Sequence, residues 1–183
     1  MILGITGTDG AGKGTVVAYL VNKKGFTHYS ARALFVEEIK RQGLEISRAN
    51  MRIVGNELRK KHGSGYLVNA YLEKKETEGI SRVVIESIRS IGEAEALKLS
   101  GGILLAVDAG RQLRYARVVE RGSESDNISF EGFVRQEEIE KNDPNPHGMQ
   151  KAAVIKMADF LIQNNGTLEE LHARVDEVLG KIQ

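Results

Sequence analysis

The chain has no cysteine among its 183 residues. That absence excludes disulfides, thiolate metal sites and cysteine nucleophiles together. Proline is nearly as scarce: the two it has, Pro144 and Pro146, share one polar stretch near 141–148. The four histidines, His28, His62, His147 and His172, are scattered without metal-ligand spacing. No apolar run approaches the roughly 20 residues that a membrane span needs. The opening Met1 to Ile5 lacks a basic stretch and its apolar run breaks at Thr6-Gly7, unlike a secretion signal. Charge of one sign is missing as well, since 26 basic and 25 acidic side chains leave a net +1. That balance predicts no nucleic-acid or membrane surface. The expectation is a soluble cytoplasmic protein. With 41% hydrophobic residues, this length predicts one domain with a substantial core.

What is present is an alternation of short apolar runs with longer amphipathic ones. Ile2–Thr6, Phe26–Ser30, Arg82–Glu86, Gly102–Val107 and Phe160–Gln163 read as strands. Helical patterns cover Lys13–Lys23, Ala31–Gln42, Ser47–His62, Tyr66–Glu76, Ile91–Leu99, Gly110–Arg121, Phe130–Asn142, Gln150–Met157 and Thr167–Ile182. Thr167 followed by Glu170 is a capping box opening the last of these. Strands alternating with helices predict an α/β fold: a five-stranded parallel sheet covered on both faces, in three αβα layers. No repeat or linker divides the chain, so 1–183 reads as one domain.

Gly7-Thr8-Asp9-Gly10-Ala11-Gly12-Lys13 matches G-x-x-x-x-G-K between a strand and a helix, the context of a phosphate-binding loop. Glycines let successive N–H groups turn towards phosphate oxygens. Lys13 then reaches the β- and γ-phosphates, and the helix N-terminus adds its positive dipole end. Such loops usually place Ser or Thr directly after the Lys. Here Gly14 intervenes and Thr15 follows. The ending Gly12-Lys13-Gly14-Thr15 resembles the adenylate kinase loop, and Asp9-Gly10-Ala11-Gly12-Lys13 resembles that of thymidylate kinases. Both belong to the nucleoside monophosphate kinase group of P-loop enzymes. The resemblance implies ATP as donor, with Gly14 at the usual hydroxyl position. It also implies a Mg²⁺ held largely by water and nucleotide, with help from Thr15.

The third predicted strand ends Glu86-Ser87-Ile88-Arg89-Ser90. A carboxylate at a strand end can orient a metal-bound water, and a guanidinium can grip a phosphate as a fork. Glu86 is therefore a metal candidate, and Arg89 an acceptor-binding and catalytic one. The plainer alternative is a surface Glu–Arg pair. The segment resembles the "DGxRS" stretch of adenylate-kinase-like and archaeal dephospho-CoA-kinase-like proteins, with Glu86 in place of Asp. Its extra methylene moves the carboxylate by about 1–1.5 Å.

Arg111, Arg114, Arg117 and Arg121 fall on one helix face. Such a face is either solvated or offset by an anion. The last two resemble the R-x-x-x-R pair before the lid of adenylate-kinase-like enzymes, which implies that Arg117 packs on the ATP base and Arg121 binds its phosphates. The stretch at about 122–148 reads as a small lid, with Arg135 reaching the transferring phosphoryl group on closure or else lying on a plain surface helix. Residues at about 31–78 form the expected acceptor region, with Arg32, Arg52 and Arg59 as anion-binding candidates or members of an exposed face. Val54–Gly63 and the ending Met157–Val175 resemble segments of archaeal dephospho-CoA-kinase-like proteins. For the second, the resemblance implies a turn at Asn164-Asn165-Gly166 beside the adenine.

A phosphate acceptor needs positive side chains, whereas a hydroxyl acceptor benefits from a carboxylate base. Dephospho-CoA kinases keep an Asp just after the second strand, where this chain has Tyr29-Ser30-Ala31-Arg32. Phe35 stands where adenylate kinases place an acceptor-binding Arg. The reading is an ATP-dependent kinase of a nucleoside or deoxynucleoside monophosphate. Dephospho-CoA kinase and a slowly hydrolysing ATP-binding switch are the alternatives.

Overall fold

The computed structural model describes residues 1–122, 128–145 and 147–182. Five strands, β1 (Ile2–Gly7), β2 (Thr27–Ser30), β3 (Val83–Glu86), β4 (Ile103–Asp108) and β5 (Phe160–Gln163), form one sheet in the order β2-β3-β1-β4-β5. Every pairing is parallel. The helices are α1 (Lys13–Lys24), α2 (Ala31–Arg41), α3 (Arg48–His62), α4 (Tyr66–Thr77), α5 (Ile91–Leu99), α6 (Arg111–Arg121), α7 (Phe130–Lys141), α8 (Lys151–Lys156) and α9 (Leu168–Lys181). The expected three-layer fold is the observed one.

The layers follow from which side chains each strand sends to each face. Leu3, Ile5, Leu105 and Val107 meet Val16, Val17 and Leu20 of α1 and Leu171, Val175 and Leu179 of α9. Val83, Ile85 and Leu104 meet Leu67 and Val68 of α4, Leu97 of α5 and Val154 of α8 on the other side. Burying such side chains stabilises the fold by about 1.5–3 kcal/mol each. A third, smaller core of Ile39, Val54 and Leu58 holds α2 against α3, and Phe35 packs against both it and the second core. The expected acceptor region thus has an apolar base of its own. Among the described residues, no helix is long and apolar enough to cross a membrane.

The chain runs from β1 out to β2, back to β3, then across to β4. The sheet therefore changes winding direction at β1, and in open parallel sheets the crevice at such a point, at the carboxyl ends of the strands, is where ligands bind. Gly7 at the end of β1, Glu86 at the end of β3 and Asp108 at the end of β4 all border it.

Candidate functional site

The loop after β1 depends on three glycines with left-handed or otherwise positive φ: +130° at Gly7, +78° at Gly10 and +97° at Gly12. A Cβ at Gly7 would collide with the Val107 carbonyl, at Gly10 with the Arg114 carbonyl, and at Gly12 with the Asn164 side-chain amide. The same neighbours hold the loop in place. Asn164 donates from Nδ2 to the Ala11 carbonyl at 2.8 Å, Arg114 donates from Nη1 to the Asp9 carbonyl at 3.1 Å, and Thr8 donates from Oγ1 to Asp108 at 2.5 Å. Helix α1 begins on Gly12 with no side-chain cap. Its first amides are therefore open to an anion. Gly14 differs from the other three, because a Cβ there would meet nothing within 4 Å. Thr15 is exposed beside it.

Lys13 lies folded against its own loop. Its Nζ donates to the Gly7 and Thr8 carbonyls at 3.1 and 2.6 Å and stands 3.8 Å from Asp9 Oδ1. Burial pushes its pKa down to about 8; Asp9 opposes the shift, and the charges of Lys151 and Arg89 add to it. Burial alone would raise the Asp9 carboxyl, but Lys151, Lys13 and Arg89 together hold it well below the usual range. Lys151 opens α8, places Nζ 3.1 Å from Asp9 Oδ2 and pairs with Glu140 of α7.

At the end of β3 the chain turns on Ser87, at φ +68°. Ile88 donates its N–H to the Ile5 carbonyl at 3.0 Å and its carbonyl accepts from Thr6 Oγ1 at 2.8 Å, which fixes the turn against β1. Glu86 Oε2 lies 2.9 Å from His28 Nε2, and that hydrogen bond is the main reason its pKa lies below the usual value. Arg89 is half-buried beside the loop, close enough for its charge to act on Asp9, Lys13 and Glu86. The structure thus brings the sequence candidates Lys13, Asp9, Glu86 and Arg89 together at one mouth.

The other candidates divide. Arg117 donates from Nη1 to the Asn164 carbonyl at 3.0 Å. Gly166 serves the cap of α9, since a Cβ there would collide with the Glu170 carboxylate that completes the capping box. Arg121 is exposed at the last turn of α6. Arg135 is also exposed, and the 100° step of a helix puts it on the far side of α7 from Glu137, which pairs with Arg114. In this arrangement the α7 acids Glu137 and Glu140 pair with Arg114 and Lys151, the two cations bonded to Asp9, and Arg135 is outside the cluster. Residues 123–127, the start of the expected lid, and Pro146 lie outside the described residues. Arg52 lines a groove of about 460 Å³ with Asn56, Glu138, Ile139 and Asn145, between α3 and the end of α7. Arg32 is exposed, with Nη1 3.6 Å from Met51 Sδ.

Arg59 is corrected. It is 5% exposed, donates to Glu93 and to the His147 carbonyl, and covers the Phe35 ring at 5.7 Å. Its guanidinium ties α3 to the core and is not available to an acceptor phosphate. Of the two readings of the basic face of α6, the structure favours the offset one: Arg114 is buried, bonded to the Ala109 carbonyl at 2.8 Å and paired with Glu137. Sequence reasoning passed over Lys151, Asp108 and the bridging role of Arg114. Asp108 carried the signal applied to Glu86, an acid closing an apolar strand. Lys151 carried none, because its partner Asp9 is 142 residues away.

The geometry has its counterparts. Residues 6–129 match the family model described as AAA domain. The chain is 31% identical to a UPF0200 protein of Thermococcus kodakarensis over 192 residues, covering all of both chains. It is 31% identical to one of Pyrobaculum aerophilum, covering 97% of this chain and 96% of that one. Among solved structures, TT1252 from Thermus thermophilus superposes with a TM-score of 0.66 at 23% identity, covering 100% of this chain and 98% of that one. Shikimate kinase from Aquifex aeolicus superposes with a TM-score of 0.55 at 20% identity, covering 99% and 97%. These two share the fold. With its loop glycines, its lysine and the relatives that match it end to end, the chain belongs to the UPF0200 family, within the P-loop proteins of the nucleoside monophosphate kinase-like kind.

Proposed function

We propose that the chain is an ATP-dependent kinase whose acceptor is a nucleoside or deoxynucleoside monophosphate. The carrying observation is the meeting of Lys13 and Arg89 around Asp9, from two adjacent strand ends, at the foot of an uncapped helix. On nucleotide binding Lys13 exchanges the Gly7 and Thr8 carbonyls for the β- and γ-phosphates, and the first amides of α1 take phosphate oxygens. Arg117, beside Asn164, lies against the base. Arg89 faces the acceptor's phosphate, whose oxygen attacks the γ-phosphorus. The new O–P bond forms as the β–γ bridging bond breaks, and ADP leaves with that electron pair. Helix α7 covers the loop and limits water.

Among the described residues, no cluster of three His, Asp or Glu side chains could hold a metal alone. Glu86 is nonetheless a fitting contributor: its carboxyl is held ionised and His28 occupies only Oε2. Mg²⁺ travelling with ATP would supply charge neutralisation, with Thr15 and Glu86 as the protein's share.

A phosphate acceptor is favoured over the hydroxyl of dephospho-CoA because the site offers no good base. Asp9 and Glu86 are both held below their usual values, and Tyr29-Ser30-Ala31-Arg32 at the end of β2 holds no acid. The test is an acceptor screen with Mg-ATP across ribo- and deoxyribonucleoside monophosphates and dephospho-CoA, read as phosphorylated product. Transfer to a monophosphate is expected. Preferred transfer to dephospho-CoA, or ATP hydrolysis with no acceptor product, overturns the proposal.

A further inference from the structure

Lys151 belongs to none of the motifs in the chain, yet it reaches the centre of the phosphate loop. It is 8% exposed, and its two partners among the described residues are carboxylates on opposite sides: Asp9 of the loop and Glu140 of α7. An ammonium has three donors. Two are engaged among the described residues, which leaves a third for a ligand. Asp9 presents Oδ2 to Lys151 at 3.1 Å and Oδ1 to Lys13 at 3.8 Å, so the two ammoniums flank a single carboxylate. The start of α8 is also tied to the third cation of the site, because the Gln150 N–H donates to the Arg89 carbonyl at 2.9 Å. One backbone hydrogen bond thereby joins the two segments that carry Lys151 and Arg89. Three cations meet Asp9 while Glu86 is taken by His28. A mostly buried ammonium is costly to place and is well used where more negative charge arrives.

We propose that Lys151 is a second phosphate-binding lysine, donating its third N–H to the γ-phosphate of bound ATP opposite Lys13. The inference rests on the kinase reading and adds to it a contact specific to the third phosphate. The competing role is a brace that only holds α7 to the loop. A brace would affect stability and all nucleotides alike. A γ-phosphate ligand discriminates between them.

The experiment uses the full chain and calorimetry with ADP and with the β,γ-imido analogue of ATP. Wild type should bind the analogue tighter than ADP. In Lys151→Met, ADP affinity should stay within about threefold, and analogue affinity should fall about 10- to 100-fold, the range of one charge-assisted hydrogen bond. Lys13→Ala should lose both ligands. Equal losses for both ligands in Lys151→Met, or no loss, overturns the inference alone. Failure of the wild type to bind either nucleotide overturns the kinase reading and this contact with it. If Lys151→Met does not fold, Lys151→Gln, which keeps hydrogen bonding to Asp9 and Glu140 without the charge, is judged by the same ratio.

Discussion

Arg59 Nε and Nη2 each lie 2.8 Å from Glu93 Oε1, inside the protein, with Glu93 fully buried. The other oxygen of that carboxylate accepts from the Arg89 and Ser90 N–H groups at 2.8 and 3.1 Å. One acid therefore joins α3 to the turn that carries Arg89. Removing one partner of a buried pair leaves the other uncompensated, at a cost of about 3–5 kcal/mol. Arg59→Ala should destabilise the protein by that amount in denaturant unfolding, whereas exposed Arg52→Ala should change stability by less than about 0.5 kcal/mol.

Lys13, with a pKa near 8, gives the site a pH dependence of fixed sign. Phosphates bind the charged form. Above about pH 8 nucleotide binding must therefore take up a proton, and affinity should weaken by up to about tenfold per pH unit. Calorimetry at pH 8.5 in buffers of different ionisation heat measures the uptake, and Lys13→Met should abolish it. Stability moves the opposite way. The unfolded chain holds this proton up to the ordinary lysine value of 10.5, so protein without ligand should gain stability between about pH 8 and 10.5 relative to Lys13→Met.

Gly12→Ala combines a left-handed φ of +97° with a collision against Asn164. The backbone strain alone costs roughly 1–2 kcal/mol, and Asn164 must release the Ala11 carbonyl to make room. A thermal melt should show at least that loss, accompanied by loss of nucleotide binding. A stable variant with intact binding would contradict the loop geometry.

Ser87 holds a φ of +68° that a glycine would adopt without strain. Relief of roughly 1–2 kcal/mol is partly offset by the greater freedom of glycine in the unfolded chain, about 0.4–1 kcal/mol. Ser87→Gly should raise the melting temperature by a few degrees, on the order of 2–4 °C.

Four of the strands were legible because each is a compact apolar run, and a buried parallel strand needs little else to declare itself; β2, Thr27–Ser30, buries Tyr29 alone. All five begin and end within one residue of expectation. The loop was legible because its chemistry depends on local spacing. The arginines of α6 show where that ends. Their shared helix face follows from the sequence, but whether the face looks to solvent or to α7 depends on Glu137, 23 residues away from Arg114. Arg59 likewise reads as an exposed cation until Glu93 is placed beneath it. Periodicity gives the face, and only tertiary pairing gives the partner.

Gly14 has open space where its side chain would be and no left-handed φ to protect. Folding therefore exerts no demand for glycine there, and alanine in its place would favour the helix by at most about 1 kcal/mol. A complete set of substitutions at this position should yield well-folded proteins that differ in catalysis alone. Position 14 thus separates the two pressures acting on the loop: a substitution there that leaves the melt unchanged but removes activity reports on the ligand that fills the space.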